Sequence, residues 1–162
     1  LGQDVVKIDP ETLAANPIAL SMEDGSVLAV LSTGMVSVRE YNGEAWQQRG
    51  LPIETGATQQ GSSVSLSADG STLAVATPDE GSGTGRVRVY SYDATSGNGG
   101  TWKVLGTELE GYSGQSGFHI ELSDDGKRLA VGTWKLIEDS KHDALYEARR
   151  VRVHELSPTN SW

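Results

Sequence analysis

The chain has 162 residues, 13 basic and 22 acidic side chains for a formal net charge of −9, and no cysteine. That length suits one domain with a real core, and with its 20 glycines counted the apolar fraction is that of an ordinary folded domain. Missing cysteine excludes disulfide frameworks, zinc–thiolate sites and thiol nucleophiles. The acidic balance opposes nucleic acid and anionic membrane surfaces as partners, and no apolar run approaches the roughly 20 residues of a membrane span.

Taken in chain order, residues 1–9 open with Leu1-Gly2-Gln3-Asp4-Val5, which matches Leu105-Gly106-Thr107-Glu108-Leu109 further on. They are expected to form the last strand of a preceding unit. Three units follow, over residues 17–56, 61–111 and 117–162. Each contains one motif: Ser21 to Val30 (SMEDGSVLAV), Ser67 to Val75 (SADGSTLAV) and Ser123 to Val131 (SDDGKRLAV). The first copy has one extra residue. Each Asp-Gly pair lies between two short alternating apolar runs, which predicts a hairpin closed by a type I′ turn. Val64 and Leu66 alternate with serines before the second turn. Leu73 and Val75 alternate with Ala74 and Ala76 after it. This is the period of a strand, with small residues where sheets can approach.

A third strand is predicted in every unit at Met35 to Arg39, Arg86 to Tyr90 and Arg150 to His154, with valines on one face and Arg or Ser on the other. Trp46, Trp102 and Trp162 come next. Gly50 and Gly106 then precede further apolar residues that complete a fourth strand. Four antiparallel strands per unit, repeated a little above the usual 40–50 residue period, predict about three β-propeller blades. The fold class is therefore all-β, a partial propeller whose third blade, 117–162, is incomplete. Closed propellers have about four to eight blades, so the expected setting is a longer chain, or copies joined head to tail.

The run 63–78 (SVSLSADGSTLAVATP), followed by GRVRVY at 85–90 and TWKVLG at 101–106, resembles the FG-GAP-like propeller repeats of secreted and surface proteins of marine microbes, distant relatives of the integrin α-chain propeller. WD-repeat propellers match less well, since neither Gly-His nor Trp-Asp occurs. The resemblance implies an extracellular or cell-surface setting and a role in adhesion or assembly, without a defined ligand.

Candidate chemistry is sparse. Integrin-type blades often carry calcium, which needs six to eight oxygens. Ser123, Asp124 and Asp125 come nearest, with Asp79-Glu80 second, but the turn accounts for the repeated Asp, so no cofactor is assigned. The glycine-rich Gly81 to Arg86 lacks the Gly-Lys-Ser/Thr ending of a phosphate loop. The spacing in Gly111 to Gly117 fails the G-x-S-x-G pattern. His119, His142 and His154 form no ligand set by spacing, and the recurring tryptophans read as packing between blades.

The exception to the repeat is the insertion from Trp134 to Arg149. Asp139 or Ser140 is placed to cap a short helix running through Ala148, with Leu145 inward. Blade-specific loops on a rigid scaffold are where binding concentrates, so Trp134, Lys135, His142, Tyr146 and Arg149 are the candidate partner-binding residues. The expectation is a non-catalytic module that binds other blades and a protein or glycan surface. The alternatives are a glycan-acting propeller enzyme with its active residues in other blades, and a calcium-dependent binder.

Overall fold

The computed structural model describes residues 18–32, 34–56, 62–77, 85–97, 99–110, 115–139, 144–157 and 161–162, with the backbone alone described at 115–118, 134–139 and 144–149. Among the described residues there is no helix, and three antiparallel sheets follow one another along the chain. The first contains β1 (Ile18–Leu20), β2 (Val27–Ser32), β3 (Met35–Tyr41), β4 (Trp46–Gln48) and β5 (Ile53–Glu54). The second contains β6 (Ser63–Leu66), β7 (Thr72–Thr77), β8 (Arg86–Asp93), β9 (Thr101–Val104) and β10 (Leu109–Glu110). The third contains β11 (Gln115–Leu122), β12 (Arg128–Asp139) and β13 (Ala144–Glu155).

The expected fourth strand is a single edge in two pieces. Both β4 and β5 pair with β3, and both β9 and β10 pair with β8. Between the pieces Gly50 and Gly106 take φ of 72° and 79°. Arg49 N–H donates to Val38 C=O at 2.8 Å and Leu105 N–H to Val89 C=O at 2.7 Å, so pairing survives up to each break.

The Asp-Gly hairpins also differ from expectation. A two-residue type I′ turn would put Asp69 and Gly70 at its centre; instead Ser67 N–H donates to Thr72 C=O at 2.9 Å, closing a longer loop. Within that loop Gly70 N–H donates to Ser67 C=O at 2.9 Å. The cause is the serine and the aspartate. Ser67 Oγ accepts from Thr72 N–H at 2.9 Å, and Asp69 Oδ1 accepts from Ser71 N–H at 3.0 Å and from Ser67 Oγ–H at 2.6 Å. These side-chain bonds satisfy backbone donors that a tighter turn would pair differently. Ser123 and Asp125 repeat the set on Arg128 N–H and Lys127 N–H, and Ser21 and Asp24 repeat it on Val27 N–H and Ser26 N–H. The extra residue of the first copy lengthens its loop, which Ser21 N–H closes on Val27 C=O.

The sheets stack face to face: β1 and β2 pack on β6, and β6 and β7 pack on β11. Sheet one contributes Val27, Ala29, Leu31, Val36 and Val38 to a core against Val64, Leu66, Leu73, Val75 and Tyr90. The other face of sheet two sets Ala74, Ala76, Val87 and Val89 against Ile120, Leu122, Leu129 and Val131. Strand β7 is therefore buried along its whole length. Its Leu and Val go to one interface and its Ala to the other, as the strand period dictates. Each fully buried Val, Leu or Ile contributes about 1.5–3 kcal/mol. A side-chain tie inside the second interface joins the strands themselves: Ser65 Oγ accepts from Leu122 N–H at 2.9 Å.

Turns stack as well as sheets. Glu23 N–H donates to Ala68 C=O at 3.0 Å, and Ala68 N–H donates to Asp124 C=O at 3.0 Å. The contact is close enough that a Cβ at Gly70 would come within 2.6 Å of Val27 Cβ. Gly70 also holds φ of 64°, in the left-handed region.

The described residues of the insertion are strand, not helix. Its two strands β12 and β13 pair in unbroken register from Arg128↔Glu155 to Asp139↔Ala144. Helix nucleation is costly in a short segment. Here the ladder already running through Leu129 to Thr133 extends residue by residue instead, over strand formers such as Trp134, Ile137 and Tyr146.

Gly70→Ala meets both a positive φ and a side chain with no room, whereas Gly43→Ala (φ 97°) meets only the first, with nothing within 4 Å. The Gly70 variant is expected to lose about 2–4 kcal/mol and the Gly43 variant about 1–2 kcal/mol, read as midpoint shifts in urea unfolding.

Candidate interaction surface

Strands β12 and β13 each run 12 residues, against six and eight for their counterparts β7 and β8. The surplus is a hairpin arm carrying most of the insertion. Its register sets Trp134 directly opposite Arg149, Lys135 opposite Ala148, and Tyr146 opposite Ile137. By strand alternation the Trp134–Arg149 pair belongs to one face of the arm, and Lys135 and Tyr146 to the other. The sequence candidates are thus two pairs on opposite faces, not one patch. His142 lies outside the described residues.

The face of Trp134 and Arg149 continues down the sheet through the Gly132–Val151 and Ala130–Val153 register pairs. Val151 and Val153 are exposed, although their counterparts Val87 and Val89 are core residues. Sequence reading missed this: the Val-x-Val pattern signals a buried face, and nothing local says whether a neighbouring sheet covers it.

The other face of β13 carries Arg150, Arg152 and His154. Burial, then the charge of Arg152, holds the His154 imidazole below its ordinary range. His119 pairs in register with Gly132 and His154 with Leu129, on opposite flanks of β12. In sheet two, Arg86 and Arg88 are each held by Glu108, both at 3.1 Å. Arg128 pairs with Glu155 at 3.0 Å. Arg86, Arg88 and Arg128 are therefore paired within the chain.

The remaining recurrent polar residues serve the scaffold. Trp102 Nε1–H donates to Arg49 C=O at 3.0 Å, and Trp162 Nε1–H to Leu105 C=O at 2.9 Å. Each indole clips its sheet to the edge of the sheet before it, beside the glycine that breaks that edge. A Cβ at Gly50 would sit 3.0 Å from Trp102 Cδ1. Around the first clip Arg49 stacks on the Tyr92 ring, 4.1 Å from its centroid, and pairs with Glu40. Tyr92 in turn lies 5.2 Å from Trp102, ring to ring.

The shifted carboxylates are all moved downward. Burial alone raises Asp69, but the Ser67 and Ser71 hydroxyls and the Ser71 N–H outweigh it. Asp125 is lowered chiefly by the Ser123 hydroxyl and Lys127 N–H, and Asp24 by Ser26. Lys103, then Thr95 and Ser96, hold Asp93 far below the carboxylate range, and Arg88 leads in lowering Glu108. Among the described residues no group of three or more His, Asp or Glu is placed to hold a metal ion. Asp79, Glu80 and the glycine run 81–84 lie outside them.

No protein-family model matches the chain, and no curated protein matches it. Among solved structures it is similar to Kluyveromyces lactis Hsv2, at 18% identity and a TM-score of 0.44 over 88% of this chain and 48% of that one. It is also similar to a protein of unknown function from Desulfotomaculum acetoxidans, at 14% identity and a TM-score of 0.47 over 86% of this chain and 42% of that one. The chain thus spans less than half the length of each.

Two expectations follow for the scaffold residues. Trp102→Phe keeps an aromatic ring but removes the donor to Arg49 and part of the packed ring volume, and is expected to cost about 1–3 kcal/mol in denaturant unfolding. The aspartates of the three turns titrate lower in the folded chain than their ordinary value of 3.8. Their contribution is therefore complete above that value and is lost as pH falls through the lower folded values. Replacing Asp24, Asp69 and Asp125 together by Asn should flatten the fall in melting temperature below about pH 4, measured by circular dichroism.

Proposed function

We propose that the chain is a β-propeller module of the FG-GAP-like type. Its role is to bind, as an element of adhesion or extracellular scaffolding within a larger chain or assembly, and not to catalyse. Its ligand is a protein or glycan surface, engaged first through the arm that carries Trp134 and Arg149. The observation that supports this most is the arm itself. The features the units repeat hold sheets together among the described residues: the Ser-Asp turns, the clips made by Trp102 and Trp162, and the alternating Val and Ala strips. The 12-residue strands of the arm are where the third unit departs from that plan. Trp and Arg are each over-represented among the residues that dominate binding interfaces, and the register sets one opposite the other. Stacked antiparallel sheets with alternating residues facing successive neighbours are also what a run of propeller blades requires.

The test is binding of the purified chain to an immobilised array of glycans and cell-surface proteins. Any partner found should bind the Trp134→Ala/Arg149→Ala variant at least about tenfold more weakly, with an unchanged thermal melt. Full binding by that variant removes the arm from the reading, and turnover of a glycoside panel by the intact chain replaces binding with catalysis.

A further inference from the structure

Four Asp-Gly or Asn-Gly pairs lie in turns among the described residues, at 24–25, 42–43, 69–70 and 125–126. In each, the side-chain Oδ1 accepts from the backbone N–H two residues on. The donors are Ser26 at 2.8 Å, and Glu44, Ser71 and Lys127 at 3.0 Å. Such a bond folds the side-chain carbonyl carbon back over the peptide that carries the glycine nitrogen. A nitrogen and an electrophilic carbon held together in one turn are placed for intramolecular attack.

Three of the four turns are locked against that attack. Gly25, Gly70 and Gly126 N–H donate to Ser21, Ser67 and Ser123 C=O at 3.1, 2.9 and 2.8 Å, so the nitrogen is already engaged. Gly70 and Gly126 are buried, and an added Cβ would lie 2.6 Å from Val27 and 2.8 Å from Thr72. Hydroxyl and backbone donors hold the three carboxyls below their ordinary range, so they stay ionised at neutral pH and resist nucleophiles. The fourth turn has none of these locks. Asn42 and Gly43 are exposed, and nothing lies within 4 Å of a Cβ at Gly43. Gly43 N–H donates to no group among the described residues. Asn42 carries a neutral amide, and Ala45 N–H adds a second bond to its Oδ1 at 2.9 Å. Two donors on that oxygen fix the amide orientation and withdraw charge from Cγ.

We infer that Asn42-Gly43 is a self-modification site, at which the Gly43 nitrogen attacks Asn42 Cγ while the three Asp-Gly turns remain intact. The new bond joins Gly43 N to Cγ, and the Cγ–Nδ2 bond breaks. Nδ2 leaves as ammonia with the proton that Gly43 N gives up, and a five-membered imide remains. Water then opens the imide at either carbonyl. Opening at Cγ gives aspartate with the original backbone, and opening at the α-carbonyl gives isoaspartate, whose chain runs through Cβ and Cγ.

The products differ in what they do to the turn. Aspartate keeps the acceptor for Glu44 and Ala45 N–H and adds a negative charge. Isoaspartate lengthens the backbone between β3 and β4, where Tyr41 O–H donates to Gly43 C=O and the Tyr41 ring packs 5.5 Å from Trp46. This site is independent of the partner role proposed for the hairpin arm.

The experiment is incubation of the folded chain at neutral pH for several weeks, followed by tryptic peptide mapping. Cleavage after Arg39 and Arg49 places Asn42 alone in peptide 40–49, apart from Asn98 and from every Asp-Gly pair. That peptide is expected to gain the mass difference between NH2 and OH. Its isoaspartate, labelled by a protein-isoaspartate methyltransferase, should accumulate at least about tenfold faster than at positions 24, 69 and 125. Gly43→Ala, whose methyl group obstructs the nitrogen, should slow conversion about tenfold. In guanidinium the three Asp-Gly sites should accelerate, while position 42 should change little. Conversion at position 42 in the unfolded chain alone overturns the inference, because the fold would then protect it. So does an aspartate-only product that Gly43→Ala leaves unchanged, which is the mark of direct hydrolysis. Folded Asp-Gly sites that convert as fast as position 42 also overturn it.

Discussion

The distance at which one Ser-x-Asp-Gly turn meets the next governs the whole molecule. Gly70 lies so near Val27 that a single added carbon would collide with it, and the backbone bonds from Glu23 to Ala68 and from Ala68 to Asp124 fix the spacing. At the second interface the strands behind the turns fill the gap with a narrow strip opposite a broad one. Ala74 and Ala76 face Ile120, Leu122 and Leu129 there. Close-packed interiors tolerate little error in such a gap.

At the outer edge the tryptophan clips do a related job by different chemistry. An indole N–H reaches back to the carbonyl of Arg49 or Leu105, next to the glycine where the edge strand breaks. The broken edge is thus part of the joint between sheets: Gly50 makes room for the Trp102 ring, and the carbonyl before each glycine receives the donor. Most of the polar side chains that recur through the sequence are occupied in these two joints. Consistent with that, the serine hydroxyls and backbone N–H groups of the turns hold their carboxylates low.

Because both joints run one way along the chain, the stack has a direction. In each interface the later sheet contributes residues of its first two strands and the earlier sheet residues of its second and third strands. The long hairpin rises from the third sheet. Variation is cheapest there. Extending β12 and β13 adds ladder bonds without altering any turn, clip or strip that the neighbouring sheet relies on. That is where the third unit departs from the other two.

The sequence alone determined the repeat, the alternating strands, the position of every Asp-Gly turn and the recurrence of the tryptophans, because each depends on a local pattern with a fixed period. It also singled out the segment from Trp134 to Arg149 as the odd one. Only the tertiary structure decided what the motif serine and aspartate bond, and hence that the hairpins close on a longer loop than Asp-Gly by itself suggests. It decided that the insertion extends a ladder instead of starting a helix, since a ladder grows on a neighbour that a local pattern does not contain. It also separated Trp134 and Arg149 from Lys135 and Tyr146 by strand face, through a cross-strand register that spacing along the chain does not reveal. Finally, it decided which valines are core and which are exposed. Val87 and Val151 sit in nearly identical sequence, and they differ because a third sheet covers the first and none of the described residues covers the second.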